Sequence, residues 1–331
     1  MSKKFLTILG ARPQIIKFDP ELKNQVVCYT GQHFSESMKD VFFKGLNLPK
    51  PDYDLGETTL GGMTNGIMEV IEKEKPHYVI VYGDTRSTLA GAIASLYKNV
   101  PLIHIEAGCR SFNDKMPEER IRTLVDDVAI IHFAPSLSAK EYLERDNKNV
   151  SVYNVGATQI DAMHINCFPT TKPEDAGKYV VATIHRESNA NVESLQAIMD
   201  GFGKSSKNIR LYAHPRTTEL LKAINVPKNV EIKDPIPYKE MINEVAFAEK
   251  VITDSGGLQV EAFYLRVPCI TLRLETEWME TVDQGWNVLV GTDSNKIARE
   301  LDSSKPRAGG NQYEFGGGDA RRKIRLILES L

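Results

Sequence analysis

Short strand-like stretches, apolar or alternating apolar and polar, recur along the chain, and most stop abruptly at a glycine or a polar residue. In the first half they fall at residues 5–9, 26–29, 78–82, 102–105, 130–134 and 150–155; in the second, at 179–184, 209–213, 230–233, 251–253, 269–272 and 288–290. Between them lie stretches of helical spacing, such as Leu89, Ala90, Ala92, Ile93, Ala94 and Leu96. Strand, helix, strand is the parallel unit of an α/β sheet. Further helices are predicted over 63–74, 117–128, 138–145, 160–165, 192–202, 218–224, 239–248, 258–264 and 321–328, with a polar loop over 52–62. Residues 166–177 (NCFPTTKPEDAG) have the Pro-rich, polar composition of a linker. Alternation on both sides of a mid-chain linker predicts two doubly wound α/β domains facing a cleft. Their expected bounds are 1–170 and 171–315, with 316–331 as a closing helix.

The stretch from Gly83 to Glu119 organises the first half. The run 78–82 stops at Gly83-Asp84-Thr85, and 102–105 stops at Glu106-Ala107-Gly108. Each strand therefore delivers a carboxylate at its C-terminal end, where open α/β sheets bind ligands. Pro117-Glu118-Glu119 opens the next helix, where negative charge is favoured. Taken singly, Asp84 reads equally as a helix cap, Glu106 as an ion-paired loop residue and Glu118 as a first-turn charge. Together they point to proton transfer. At the N-terminus, Gly10-Ala11-Arg12-Pro13 with Lys17 reads as an anion-binding corner, and no GxGxxG dinucleotide fingerprint is present.

In the second half, Thr253-Asp254-Ser255-Gly256-Gly257 ends a strand at a helix start. Ser-Gly-Gly there exposes backbone N–H groups and suits a phosphate, although Gly-Gly also serves a tight turn. Glu261, one turn on, reads as an acceptor for ribose hydroxyls or as surface charge. His185 and His214 each follow a strand at the same edge, and two such histidines beside a phosphate-type turn favour ligand contact.

Composition narrows the classes. Among 331 residues, 41% are hydrophobic and 26% charged, as in a soluble globular protein, and a net charge of −3 argues against a general nucleic-acid binder. Cys28, Cys109, Cys167 and Cys269 show no metal-ligand spacing and are expected as reduced packing thiols. With no secretory or membrane-length apolar segment, a cytoplasmic protein without membrane association is expected.

At these residues the chain resembles the non-hydrolysing UDP-N-acetylglucosamine 2-epimerase family. The resemblance rests on GARPQIIK, TGQH, VYGDTRSTLAGA, HIEAGCRSF, MPEERIR, TIHRESN, AHPRT, TDSGGLQVEA and VPCITLRLETEW, in family order. It implies a GT-B type fold and catalytic roles for Asp84, Glu106, Glu118 and His185. It implies diphosphate contacts at Arg12, Ser255, Gly256 and Gly257, ribose contact at Glu261 and an N-terminal lysine at Lys17; His214 belongs to the AHPRT motif. The implied chemistry removes the proton at C2 while UDP leaves C1, then re-adds UDP after protonation of the opposite face. It needs no metal and no other cofactor, and family precedent implies a homodimer. Two elements depart from the usual pattern: His185-Arg186-Glu187-Ser188-Asn189, and Thr276-Glu277-Trp278-Met279-Glu280. They resemble the branch acting on UDP-2,3-diacetamido-2,3-dideoxyglucuronate, the alternative substrate; a GT-B glycosyltransferase and a UDP-sugar-binding regulator without catalysis are the alternatives of other classes. In regulated members a second UDP-N-acetylglucosamine binds at the Gln of the QH motif. Here Glu36 lies between Gln32-His33 and Met38, so weak or absent substrate activation is expected.

Overall fold

The computed structural model describes residues 3–32, 43, 46, 48–146, 150–166, 172–213, 215–304 and 309–331. Its contacts divide the chain into two compact units, Met1–Ala162 with Glu314–Leu331, and Met163–Tyr313. The closing helix Ala320–Glu329 thus packs with the first unit, where the Arg321 guanidinium donates to the Ile16 carbonyl at 2.5 Å and Asp161 accepts the Arg321 N–H at 2.8 Å.

The first unit holds a seven-stranded parallel sheet of β1 (Phe5–Leu9), β2 (Gln25–Tyr29), β3 (Tyr53–Asp54), β4 (Tyr78–Tyr82), β5 (Leu102–Ile105), β6 (Ile131–Ala134) and β7 (Ser151–Asn154), in the order β3-β2-β1-β4-β5-β6-β7. The second holds a six-stranded parallel sheet of β8 (Val180–Ile184), β9 (Ile209–Ala213), β10 (Val230–Lys233), β11 (Lys250–Thr253), β12 (Cys269–Thr271) and β13 (Asn287–Leu289), in the order β10-β9-β8-β11-β12-β13. This is the doubly wound α/β class that the alternation predicts. Central strands such as β1 and β4 are buried along nearly their whole length because helices cover both faces, whereas β7, at the edge, is largely exposed. Strand order reverses between β1 and β4 and again between β8 and β11, and the crevice at such a reversal is where open sheets take ligands.

Some elements differ from expectation. The predicted loop 52–62 contains β3 and the first turn of the helix Leu60–Glu74, whose start is hidden by Gly61-Gly62 and marked only by the Thr59 cap. The helices Met279–Asp283 and Ser294–Asp302 were not anticipated; the second buries only Ile297 and Leu301, too few apolar residues for a periodic signal. Cys28, Cys109 and Cys269 are buried free thiols as expected, and burial pushes Cys28 up to about 12. Cys167 lies outside the described residues.

Candidate functional site

At the first reversal, Gln14 ties the two strand ends together. Its side-chain oxygen accepts from the Gly10 and Ala11 N–H groups, and its amide donates to the Tyr82 carbonyl and Thr88 Oγ1. A Cβ on Gly10 would fall 1.9 Å from Ser87 Oγ, so only glycine permits this approach of β1 to the helix Arg86–Tyr97. Lys17, at the end of the helix Arg12–Lys17, is buried and meets Glu106 Oε2 at 2.5 Å. Burial alone would lower the Lys17 ammonium, but the Glu106 carboxylate, its hydrogen bond and the nearby Asp84 outweigh that effect and raise it above the ordinary lysine value. Arg12 is exposed at the first position of the same helix.

Glu106 adopts a left-handed conformation (φ 67°), and its N–H and that of Ala107 both reach the Phe133 carbonyl, at 3.0 and 3.1 Å. For a residue with a Cβ this costs about 1–2 kcal/mol, a strain that packed surroundings must offset. It turns the carboxylate toward Gly83, whose missing Cβ would sit 3.4 Å from Glu106 Oε1. Asp84 pairs with Arg122, whose other nitrogen meets Glu119 Oε2 at 2.6 Å. Lys17, Glu106, Asp84 and Arg122 thus form one cluster of alternating charge. Glu119 is buried and accepts from Ser111 N, Ser111 Oγ and Phe112 N, holding the loop before its helix. Glu118, half-buried in the first turn, makes no ion pair or hydrogen bond to another described residue. Of the acidic pair at this helix start, one carboxylate is structural and the other is open.

At the second reversal, Asp254 is fully buried. It accepts from the His185 N–H at 3.1 Å, Arg186 N–H at 3.0 Å and Asn189 Nδ2 at 3.1 Å, and it meets His185 Nδ1 at 3.1 Å. Burial pushes its carboxyl up, but His185 and these donors outweigh it and hold it below the ordinary carboxylate range. His185 is consequently fixed by its inner nitrogen while 44% of its side chain stays exposed. Ser255 caps the helix Gly256–Tyr264, and Gly256 and Gly257 occupy its first two positions, half-buried. A Cβ on Gly256 would lie 2.3 Å from Glu277 Oε1. Glu277 in turn meets Arg273 at 2.8 Å and Arg186 at 3.7 Å, so two guanidiniums gather beside that helix start. Glu261 is buried and accepts from Tyr238 Oη at 2.7 Å, which removes the surface-charge reading. Backbone N–H groups and guanidiniums in one place suit a diphosphate.

His214, and the loop residues His33, Glu36 and Met38, lie outside the described residues. Gln32 is described, and its oxygen accepts from Ser87 N and Oγ at 2.9 and 2.7 Å. Sequence reasoning missed Arg122, Asp126, Arg186, Arg273 and the ligating role of Asp254. A signal existed for two of them: Glu119, Arg122 and Asp126 share the buried face of their helix with Ile121 and Val125, and charge on an apolar face asks for partners. Among the described residues no group of three or more His, Cys, Asp or Glu side chains is placed to hold a metal ion.

Comparison with known proteins gives a consistent picture. Residues 16–329 match a family model described as UDP-N-acetylglucosamine 2-epimerase. A UDP-N-acetylglucosamine 2-epimerase homolog of Methanococcus maripaludis is 38% identical, covering 99% of this chain and 100% of that protein. The UDP-2,3-diacetamido-2,3-dideoxy-D-glucuronate 2-epimerase of Pseudomonas aeruginosa is also 38% identical, over 99% of this chain and 100% of its own. The crystal structure of Methanocaldococcus jannaschii UDP-GlcNAc 2-epimerase in complex with UDP-GlcNAc and UDP superposes with a TM-score of 0.87 at 38% identity, covering 98% of this chain and 99% of that one.

Proposed function

The chain belongs to the UDP-N-acetylglucosamine 2-epimerase family, and from that membership we propose that it interconverts UDP-N-acetylglucosamine and UDP-N-acetylmannosamine. A carboxylate of the first unit takes the C2 proton; the C2–H electrons form the C1=C2 bond as the C1–O bond breaks and its electron pair leaves with UDP. The resulting 2-acetamidoglucal takes a proton on its other face as UDP adds back to C1. Two faces need two acid/base groups, and Asp84, Glu106 and Glu118 supply carboxylates at two strand ends and a helix start. Lys17 and Arg122 hold counter-charge beside Glu106 and Asp84. The second unit binds UDP: Ser255, Gly256 and Gly257 meet the diphosphate at the start of their helix, and His185, anchored by Asp254, stabilises the charge that develops on the departing oxygen. Glu261 receives the ribose, with Arg12 as a further diphosphate contact.

The observation that carries this reading is the convergence of Asp84 and Glu106, each with a cation, at adjacent strand ends of a chain matched end to end by epimerases. The enzyme acts in the cytoplasm as a homodimer. Among the described residues no helix is long and apolar enough to cross a membrane. Leu96 and Tyr97, with Leu124 on the neighbouring helix, leave apolar surface exposed in support of self-association. The protein incubated with each UDP-sugar alone, followed by proton NMR, tests the assignment. UDP-N-acetylglucosamine converting to its manno epimer is expected. Turnover of only the diacetamido uronate would move the substrate to that sugar, and transfer to an added acceptor without epimerisation would refute it.

A further inference from the structure

His104 and Asp126 form a buried pair that the chemistry above does not use. His104, on β5, is wholly enclosed. Its Nε2 lies 2.8 Å from the Gly83 carbonyl oxygen and its Nδ1 2.6 Å from Asp126 Oδ1. A carbonyl only accepts, so Nε2 donates. Asp126 Oδ2 accepts from the Gly108 N–H at 3.2 Å and pairs with Arg110 at 2.6 Å. Burial pushes the Asp126 carboxyl up, but His104 and Arg110 outweigh it and hold it below the usual range, so it too is an acceptor.

The Gly83 carbonyl belongs to the peptide that joins Gly83 to Asp84. Gly83 is left-handed (φ 61°), a conformation open to glycine, whose backbone is also the least constrained of any residue. Nothing in the glycine itself fixes that peptide plane. The helix Pro117–Val128 reaches Asp84 along two paths one turn apart: Arg122 grips the carboxylate, and Asp126 holds the ring that grips the preceding carbonyl. Resting on the epimerase reading above, we propose that His104 is a positioning residue: its Nε2–H···O=C bond to Gly83 sets the peptide that aims Asp84 at C2, and Asp126 sets the ring.

Two substitutions separate the ring's bonds. His104→Gln places an amide N–H where Nε2 was and keeps the donor to Gly83; His104→Asn places one where Nδ1 was and keeps the bond to Asp126. Turnover is expressed per UDP-binding site, so loss of folded protein cancels, and free UDP released per epimer formed is read in the same reaction. The wild type in this assay decides the epimerase reading separately. His104→Asn is expected to lose about thirtyfold to a hundredfold in kcat, because an ångström of misplacement costs that much. Its KM should be unchanged and its UDP leakage raised, as the glucal waits for a misplaced acid. His104→Gln should retain kcat within about threefold, with leakage near wild type. A purely structural His104 would lower the yield of both variants while leaving kcat and leakage per site unchanged. That result, or a Gln variant no better than Asn, would overturn the proposal.

Discussion

Replacing Asp254 by Asn keeps the shape of a side chain that joins three backbone and side-chain donors to His185. The amide oxygen, placed at the Oδ2 position, still serves Arg186 N, Asn189 Nδ2 and His185 N, which lie 3.0, 3.1 and 3.1 Å away. The amide nitrogen then faces His185 Nδ1, which must accept instead of donate, and the exposed Nε2 becomes the protonated position. Charge-assisted bonds become neutral ones, about half as strong, for a loss of about 1–2 kcal/mol. In a unit of about 150 residues that lowers the melting temperature by about 2–8 °C. Catalysis should also fall, because in the proposed reaction the Nε2–H that meets the leaving diphosphate then belongs to a ring without the Asp254 carboxylate behind it. Halving a hydrogen bond to a charged group worth about 1.5–3 kcal/mol corresponds to about a 4- to 12-fold drop in kcat/KM. Steady-state epimerisation, UDP binding by calorimetry and thermal melting on the same preparation separate these effects. Wild-type kcat/KM in Asp254→Asn would refute the anchoring of His185 as a catalytic device.

Asp84→Asn, Glu106→Gln and Glu118→Gln should each lower turnover by about a hundredfold or more with UDP affinity nearly unchanged; full turnover in one variant removes that residue from the acid/base set. Gly256→Val should weaken UDP binding, since its side chain must push Glu277 away from Arg273 and fill the phosphate approach; unchanged affinity by calorimetry would place the nucleotide elsewhere. The native Asp254 carboxyl lies below its unfolded value, so its contribution to stability is fully present above about pH 4 and fades as pH falls through the native pKa. The stability gap between wild type and Asp254→Asn in urea titrations should therefore narrow below about pH 4; a gap that widens there would contradict it.

The strands were legible because buried parallel strands are written as short apolar runs, and β1, β4 and β5 carry theirs to the last residue before the turn. Asp84, Glu106 and the Ser255-Gly256-Gly257 turn were legible for the same reason: strand ends can be counted, and ligands gather there. The helix Ser294–Asp302 was not, since its residues are chiefly solvated and only the Asp293 cap announces it. Nor were the partners of the site residues. That Glu119 is spent on the loop Ser111–Phe112 while Glu118 stays open depends on which side of one helix turn faces the sheet. That Asp254 serves His185 depends on β8 and β11 lying side by side, about seventy positions apart in the chain. Adjacency of this kind is a product of topology, and residue spacing carries no record of it.

Turnover in D2O tests the central claim most directly. UDP-N-acetylglucosamine is incubated with the enzyme, and the C2 position of the epimer is read by NMR. Proton abstraction by Asp84, Glu106 or Glu118 and return from the opposite face predict UDP-N-acetylmannosamine carrying deuterium at C2. An epimer that keeps its original hydrogen throughout would contradict elimination and re-addition through these carboxylates.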